Sequence, residues 1–551
     1  MVAHIEPLRY KQNATSREVM PSNRRQKSRE QATRAFDRTT LPSSLRMFWL
    51  PATLTVSLGA LAFLPRLLEN TTLHRSVVTA TIVLLAWQIA LYLHCRRSSV
   101  APTLQVVLRP QHYVQALVQG AVFIYWGWYW QPVFHMAWLL VAQLLFAYVF
   151  DMLISWTRRN SYTLGFGPFP IIFSTNLFLW FKDDWFYLQF LMIAVGFMGK
   201  EYVKWSRDGR LTHIFNPSAF SLGLFSLILI ATNTTELTWA EEIATTLVRA
   251  PSIYLFLFLI GLVVMYFFSI TLVAGSAAIV LFGSSALYSA VTGVPYFIDS
   301  EIPAAVFLGL HLLVTDPSTS PKTPIGKSVF GVLYGLGVFG LYTLLGALGA
   351  PTFYDKLLCV PLLNLSVQQI DRTVQFLKGR SPASQHVPRW TAARTNLACI
   401  AVWILFFGVM TTMGRADGKH TGDSVPFWQR ACADGRHNAC ERLMSIEAVY
   451  CDDNSAWACN EVGGHYTLGR IARPDKELAA AYFSRACELR FQAGCVNLLN
   501  PGHFTSANPK TLDLRLLLRE RKQNLMEMSQ RDLYARACRH DWTFACIPGI
   551  P

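Results

Sequence analysis

The run from residue 303 to residue 350 reads PAAVFLGLHLLVTDPSTSPKTPIGKSVFGVLYGLGVFGLYTLLGALGA. Two apolar stretches, 303–315 and 328–349, flank a turn rich in proline, hydroxyls and lysine. A membrane-spanning helix needs roughly 20 mostly apolar residues. The second stretch meets that length, and the first is short and carries His311. The pattern predicts a chain that crosses an apolar medium, turns in a polar one and crosses back.

The same alternation extends in both directions. Apolar segments run near 47–64, 76–94, 112–129, 133–155, 164–181, 185–199, 216–231, 252–272 and 274–292, and after the quoted run near 351–370 and 396–413. The expected fold is all-α: a polytopic transmembrane helical bundle of about 13 spans, followed by an α/α repeat domain. Segment 164–181 contains Pro168 and Pro170. It is expected to be broken or re-entrant, which is tolerated only where the backbone is packed inside protein.

Composition agrees. Of 551 residues, 52% are hydrophobic and 15% charged, with a mean hydropathy of +0.29. Soluble proteins carry about 25% charged residues. The charge is unevenly placed. Residues 1–46 hold ten Lys/Arg and four Asp/Glu; 47–413 hold 35 charges in 367 positions; 414–551 hold 34 in 138. The chain therefore divides into a basic tail (1–46), a membrane body (47–413) and a polar C-terminal domain (414–551). The net charge of +15 follows this topology, so no nucleic-acid partner is expected. In the tail, Arg24, Arg25, Lys27 and Arg29 cluster without an alanine-rich cleavage site, so a removable signal peptide is not expected. The tail composition suggests disorder. The cluster either binds anionic lipid or only retains the N-terminus in the cytoplasm.

With the N-terminus inside, sixteen loop Lys/Arg fall inside, among them Arg109, Arg158, Arg159, Lys200, Arg207 and Lys322, against five outside. That bias fits the positive-inside rule. It predicts a bacterial inner-membrane protein with an extracytoplasmic C-terminal domain.

Eight of eleven cysteines follow residue 431, as Cys432 and Cys440, Cys451 and Cys459, Cys487 and Cys495, Cys538 and Cys546. Every pair is spaced by eight. Zinc sites use closer spacings. Eight suits two helices of a hairpin bridged near their turn, with Cys487 on a helix 478–490 and Gly494 opening the turn. Such bridges persist in oxidising compartments, in agreement with the outside placement. The stretch from Ala479 to Cys487, continued by Gly494-Cys495-Val496-Asn497-Leu498, resembles the Sel1-like repeat family, and 427–440 and 536–538 repeat the pattern. The pair-to-pair intervals of 19, 36 and 51 residues are irregular, where that family keeps about 36. The resemblance implies a concave face for a protein or cell-wall partner. A passive stabilised cap is the alternative.

Two polar segments interrupt the body. One runs from Gly199-Lys200-Glu201 to His213-Ile214-Phe215-Asn216-Pro217-Ser218, and the other is 315–327. Asn-Pro and Asp-Pro place Asx caps before a helix or turn. Helix-start N–H groups near Lys322 or Lys327 suit a phosphate or an electron-rich ring; well-capped loops are the plain alternative. The run Thr315-Asp316-Pro317-Ser318-Thr319-Ser320-Pro321-Lys322-Thr323-Pro324, its glycine-bearing helix, 357–365 with Ile370-Asp371-Arg372, and Phe215-Asn216-Pro217 resemble the NqrB/RnfD family. The likeness covers roughly 76–375 and is greatest to the UnbU-type branch associated with enediyne biosynthesis. These are membrane flavoprotein subunits of sodium-pumping quinone reductase and the Rnf electron-transport complex.

The resemblance implies two pseudo-repeated five-helix halves and electron transfer. It implies a flavin or quinone site at Asn216, Pro217, Thr315, Asp316, Thr319, Ser320 and Thr323, with a redox partner as electron source. The family holds flavin covalently on an outer-loop threonine. Here that loop, 232–250, offers Thr245 and Thr246 after Ala244 without the preceding glycine. A non-covalent flavin, FMN or riboflavin, is therefore expected, with Thr232, Thr234, Thr235 and Trp239 available to line it. No nicotinamide fingerprint and no cysteine set for an iron–sulfur cluster occur in the body. Asp151, His135 and His311 are the ionisable residues expected inside spans. Gly331 and Gly335 suit close helix packing. A transporter or channel, or a membrane scaffold, also fits broken helices and duplicated halves.

Overall fold

The computed structural model describes residues 44–98, 102–207, 209–298, 300–380, 392–417, 420–519 and 524–547. The basic cluster of the tail lies outside them. The chain is mostly helical, 74% helix and 4% strand. Counting helices of eight residues or more, the body comprises α1 (Ser44–Leu61), α2 (Thr71–Ser98), α3 (Pro110–Tyr129), α4 (Ala137–Arg159), α5 (Pro168–Asn176), α6 (Phe186–Tyr202), α7 (Pro217–Ala231), α8 (Ala240–Leu247), α9 (Ile253–Phe268), α10 (Thr271–Thr292), α11 (Ala304–Leu312), α12 (Pro324–Ala347), α13 (Asp355–Arg380) and α14 (Ala392–Thr412). Four short strands were not foreseen. β1 (Thr103–Val106) pairs in parallel with β2 (Ser161–Leu164), and β3 (Lys204–Arg207) pairs antiparallel with β4 (Arg210–His213).

Every expected span coincides with a helix, yet length separates them. Among the described residues, five helices are long and apolar enough to cross a membrane: α2, α4, α10, α12 and α14. Helices α5 and α11 have nine residues each. At 1.5 Å per residue each covers ~14 Å, about half of a bilayer core. Segment 164–181 is thus broken, but not at its prolines: Pro168 and Pro170 are the first and third residues of α5, and the helix stops at Asn176. After Asn176 the chain continues without helix through Leu177–Phe181, all buried.

Buried non-helical backbone must find partners inside the protein. Here it does. The N–H of Phe181 donates to Gln189 Oε1 at 3.1 Å, that of Trp239 to Trp180 O at 2.7 Å, and that of Lys182 to Leu237 O at 2.9 Å. Buried amides extend the network. Gln143 and Asn176 exchange two bonds of 3.0 and 2.6 Å, Gln189 Nε2 donates to Gln143 Oε1 at 3.1 Å, and Gln119 Nε2 donates to Ser174 Oγ at 2.7 Å.

The order long, long, nine-residue, long, long occurs twice, as α3–α7 and as α9–α13. Packing follows the same order. Helix α3 lies on α5 and α9 on α11; α4 lies on α6 and α10 on α12; α6 lies on α7 and α12 on α13. The two sets meet through α3 with α9 and α7 with α13. On α12, Gly331 sits against the Val273 carbonyl and Ser276 of α10, where a side chain would overlap both. The small-residue packing read from the sequence is present.

The C-terminal domain contains α15 (Val425–Ala433), α16 (Ala439–Asp452), α17 (Ala456–Leu468), α18 (Lys476–Glu488), α19 (Gln492–Leu499) and α20 (Gln530–Arg539). All four cysteine pairs form disulfides, with Cα–Cα distances of 4.5–4.8 Å. Each bridge spans the same helix end. Three residues after the first cysteine stands a left-handed residue: Gly435, Asn454, Arg490 or Asp541. Its N–H bonds to the cysteine carbonyl, and the next N–H reaches back five positions, as in Arg436 to Ala431 (2.9 Å), Ser455 to Tyr450 (2.8 Å), Phe491 to Ala486 (3.0 Å) and Trp542 to Ala537 (3.1 Å). This is the Schellman stop.

The turn between Cys487 and Cys495 is therefore made by Arg490, at φ +65. Gly494, expected there, instead lies within α19 against Ala486. The short interval of 19 residues arises because α16 carries a bridge at each end, at Cys440 and Cys451. The domain is anchored to the body. Val294 packs into its core, Arg436 donates to Gly293 O at 3.0 Å, and Arg415 pairs with Glu301 at 2.5 Å.

Candidate functional site

The two polar segments, about a hundred residues apart, converge on one cavity of about 460 Å³. Asn216, Pro217 and Ser218 form one side and Asp316, Pro317 and Ser318 another. Helix α5 supplies Pro170, Ile171 and Ser174, and Phe268 closes the apolar wall.

Asn216 is the joint. As N-cap of α7, its Oδ1 accepts from Ser218 N at 3.2 Å and Ser218 Oγ at 2.9 Å. Its Nδ2 donates to Leu313 O, just past the end of half-helix α11, at 3.1 Å. Its backbone N–H donates to Asn364 Oδ1 of α13 at 3.1 Å, and Asn364 Nδ2 donates to Thr319 O at 3.2 Å.

Asp316 Oδ1 accepts from Ser318 N (2.9 Å) and Ser318 Oγ (2.6 Å), and His213 Nε2 lies 3.8 Å from Oδ2. Burial opposes ionisation of Asp316, but His213 and the two Ser318 donors prevail and hold its carboxyl below the usual range. Below this loop Arg207 bonds Asp371 at 2.7 Å and the Ser318 and Ser320 carbonyls at 3.3 and 3.0 Å.

The expected site residues separate into three groups. Asn216, Pro217 and Asp316 line the cavity. Thr315, Thr319, Ser320 and Thr323 shape the loop: Thr315 bonds His311 O, Thr319 bonds Asp316 Oδ2, Ser320 bonds Asp316 O, and Thr323 caps Gly326. Thr245 and Thr246 stand at the other end of the bundle. Thr246 is buried, accepting from Trp126 Nε1 and donating to Glu242 O, and Thr245 donates to Glu241 O at the rim of a second cavity.

The cations also differ from expectation. Lys322 and Lys327 do not line the cavity, and Lys327 Nζ instead donates to Ser269 O at 2.7 Å. The cationic wall is Arg109 and Lys200, with the imidazoles of His112 and His213 beside them. Lys200 also pairs with Asp151 at 3.1 Å, which gives that ionisable residue its partner. Arg109 and His112 lie far from both motifs in sequence, and only the fold brings them in. Asn364 lies in the apolar 357–365 segment, where nothing in the sequence marks it as a joint. Thr232, Thr234, Thr235 and Trp239 line neither cavity. His311 is fully buried, its Nδ1 2.8 Å from Phe307 O. Among the described residues no cluster of ligands suits a metal ion.

No family model, curated protein or solved structure matches this chain. The volume lies within the usual range for a small molecule. Cations and a helix N-terminus at one side face apolar carbons at the other. That combination suits a flat, partly apolar molecule with an acceptor-rich or anionic edge.

Proposed function

We propose that this chain is an integral membrane electron-transfer protein of the NqrB/RnfD type, with a non-covalent flavin held in the cavity between Asn216 and Asp316. One observation carries the proposal: the two motifs that prompted the resemblance, separate in sequence, meet at one cavity beside a cationic wall. A bound flavin supplies the transfer of electrons. Arg109 and Lys200 would hold its electron-rich edge, Phe268 and Ile171 would exclude water from its ring, and Asn216 would fix both loops around it. Thr246 is a poor covalent attachment point because its hydroxyl already makes two buried bonds.

The reading includes thirteen membrane segments, with half-helices α5 and α11 completed by non-helical chain. It takes α3–α7 and α9–α13 as an inverted repeat: α3 begins at the cavity whereas α9 ends there. The cationic end faces the cytoplasm, and the C-terminal domain is an extracytoplasmic Sel1-like array that binds a protein partner. The four equivalent disulfide hairpins support that part.

An inverted repeat with central half-helices also describes transporters, so a transporter without redox activity is the second reading. The absorbance spectrum of gently purified protein tests the two. A flavin released by acid precipitation is the expected result. No flavin, with solute flux in vesicles, would establish the transporter reading instead. Flavin retained on the Thr245/Thr246 peptide would overturn the non-covalent assignment.

A further inference from the structure

At the opposite end of α9, ~24 Å away at 1.5 Å per residue, a second cavity of about 680 Å³ opens between the body and the C-terminal domain. Its wall holds five arginines and four aspartates. Five of these nine charges, Asp417, Arg519, Asp453, Asp423 and Arg415, are committed to one another or to partners elsewhere in the fold. Asp417 accepts the N–H groups of Tyr254 and Leu255 at 2.8 and 2.9 Å, capping the start of α9. Arg519 takes Asp453 at 2.7 Å and Asp423 at 3.5 Å. Arg415 is held by Glu301.

The rest of the charged wall is Arg249 from the body, Arg536 and Arg539 from α20, and Asp541 as the one remaining carboxylate. Arg249, Arg536 and Asp541 also have partners of their own in the fold. Arg539 is exposed. Arg536 and Arg539 stand three positions apart and so share a helix face. Three arginines line this part of the wall against one aspartate. Burial first, and then Arg536, Arg519 and Arg539, bring His540 down to about 4, so His540 is neutral at neutral pH.

Two further features define the ligand. The cavity lies where apolar helix α9 begins and just beyond the end of α14, one of the helices long and apolar enough to cross a membrane, so a bilayer crossed by α14 would present its headgroups there. Its arginines also come from both sides of the junction, so a ligand would join the domain to the body. Planar guanidinium forks match phosphate oxygens in pairs.

We propose that this cleft binds a phosphate group, carried by a lipid headgroup or by a small phosphorylated molecule, between Arg249 and the Arg536/Arg539 face of α20. The proposal does not rest on the redox reading.

The test uses the full chain, purified in phosphate-free detergent buffer, with glycerol 3-phosphate and dihexanoyl phosphatidylglycerol as probes. The wild type is expected to bind at least one probe, and Arg539→Glu and Arg249→Glu each to weaken it tenfold or more. Arg490→Glu, the same charge change in a turn outside the cleft, is expected to leave binding unchanged. Binding of the lipid alone identifies a headgroup, whereas binding of glycerol 3-phosphate identifies the free phosphate as sufficient. Equal binding by wild type and R539E, or no binding of either probe to wild type, overturns the proposal. Should R249E fail to fold, R539E decides, because its side chain is exposed.

Discussion

The backbone N–H of Asn216 donates to the side chain of Asn364 at 3.1 Å, across 148 positions of sequence. The same Asn364 amide donates to Thr319 O. One buried side chain thus fastens α7, α13 and the 315–323 loop around the first cavity. Asn364→Leu would leave a buried N–H and a buried carbonyl unpaired, at about 1–3 kcal/mol each. The expected outcome is a variant that unfolds at clearly lower temperature than wild type. An unchanged melting temperature would show that the joint is not structural.

A second pair links the half-helix to its neighbour. A side chain at Gly261 of α9 would overlap the His311 ring of α11, which is fully buried against Phe307 and Trp403. Gly261→Ala is expected to destabilise by about 1–3 kcal/mol, the usual cost of overpacking. His311→Ala removes the obstructing ring, so the double variant should be less destabilised than the sum of the singles. Thermal melts of all four proteins give the coupling. Additive effects would mean that the two residues do not meet.

How much of this was legible can be judged residue by residue. Pro168 and Pro170 mark where α5 starts, because proline's fixed φ suits the first turn of a helix, but no proline or glycine marks its stop at Asn176. The cysteine spacing was legible because a Schellman stop fixes the geometry of the helix end, so the same eight-residue interval recurs. The cavity motifs stood out as polar runs between apolar ones. Arg109 and His112 were not legible as cavity residues: both sit at the start of α3, where any cation satisfies the positive-inside rule, and only packing of α3 against α5 and α9 brings them to the site that Lys200 and the two motifs form. The nine-residue extent of α11 was also hidden. Hydropathy counts apolar residues and is blind to where the helix stops within them. Strands β3 and β4 are four residues each and contain Lys204, Arg207 and Arg210, which read as loop.

The repeated turn makes its own prediction. Arg490 holds φ +65, a conformation that costs a side-chain-bearing residue roughly 1–2 kcal/mol. Arg490→Gly should raise the stability of the C-terminal domain by about 1 kcal/mol. Removing the adjacent bridge by Cys487→Ala with Cys495→Ala should lower it by about 2.5 kcal/mol, the loop-closure estimate for so short a ring. Denaturant titration followed by the domain's tryptophans reads both. A stabilising Cys487→Ala/Cys495→Ala variant, or a destabilising glycine, would contradict this account of the helix end.

Glu461 sets a pH dependence in the same domain. Burial first, with Glu447 in addition, raises its carboxyl to about 7, although Ser506 and Asn460 hydrogen bonds and nearby His465 oppose the rise. Ser506 Oγ donates to Glu461 Oε1 at 2.7 Å, and His465 itself pairs with Glu447 at 2.7 Å. The sign follows from linkage. Between the ordinary glutamate value and about 7, the folded domain retains a proton that the unfolded chain has released, so stability falls as pH rises through that window and levels off above it. Glutamine keeps the carbonyl that accepts from Ser506 and cannot ionise. Glu461→Gln should therefore match wild type near pH 4.5 and melt at higher temperature at pH 8. Melting curves of both proteins across that range check it. A wild-type slope retained in E461Q would move the effect to Glu447 and His465, whose pairing the substitution leaves in place.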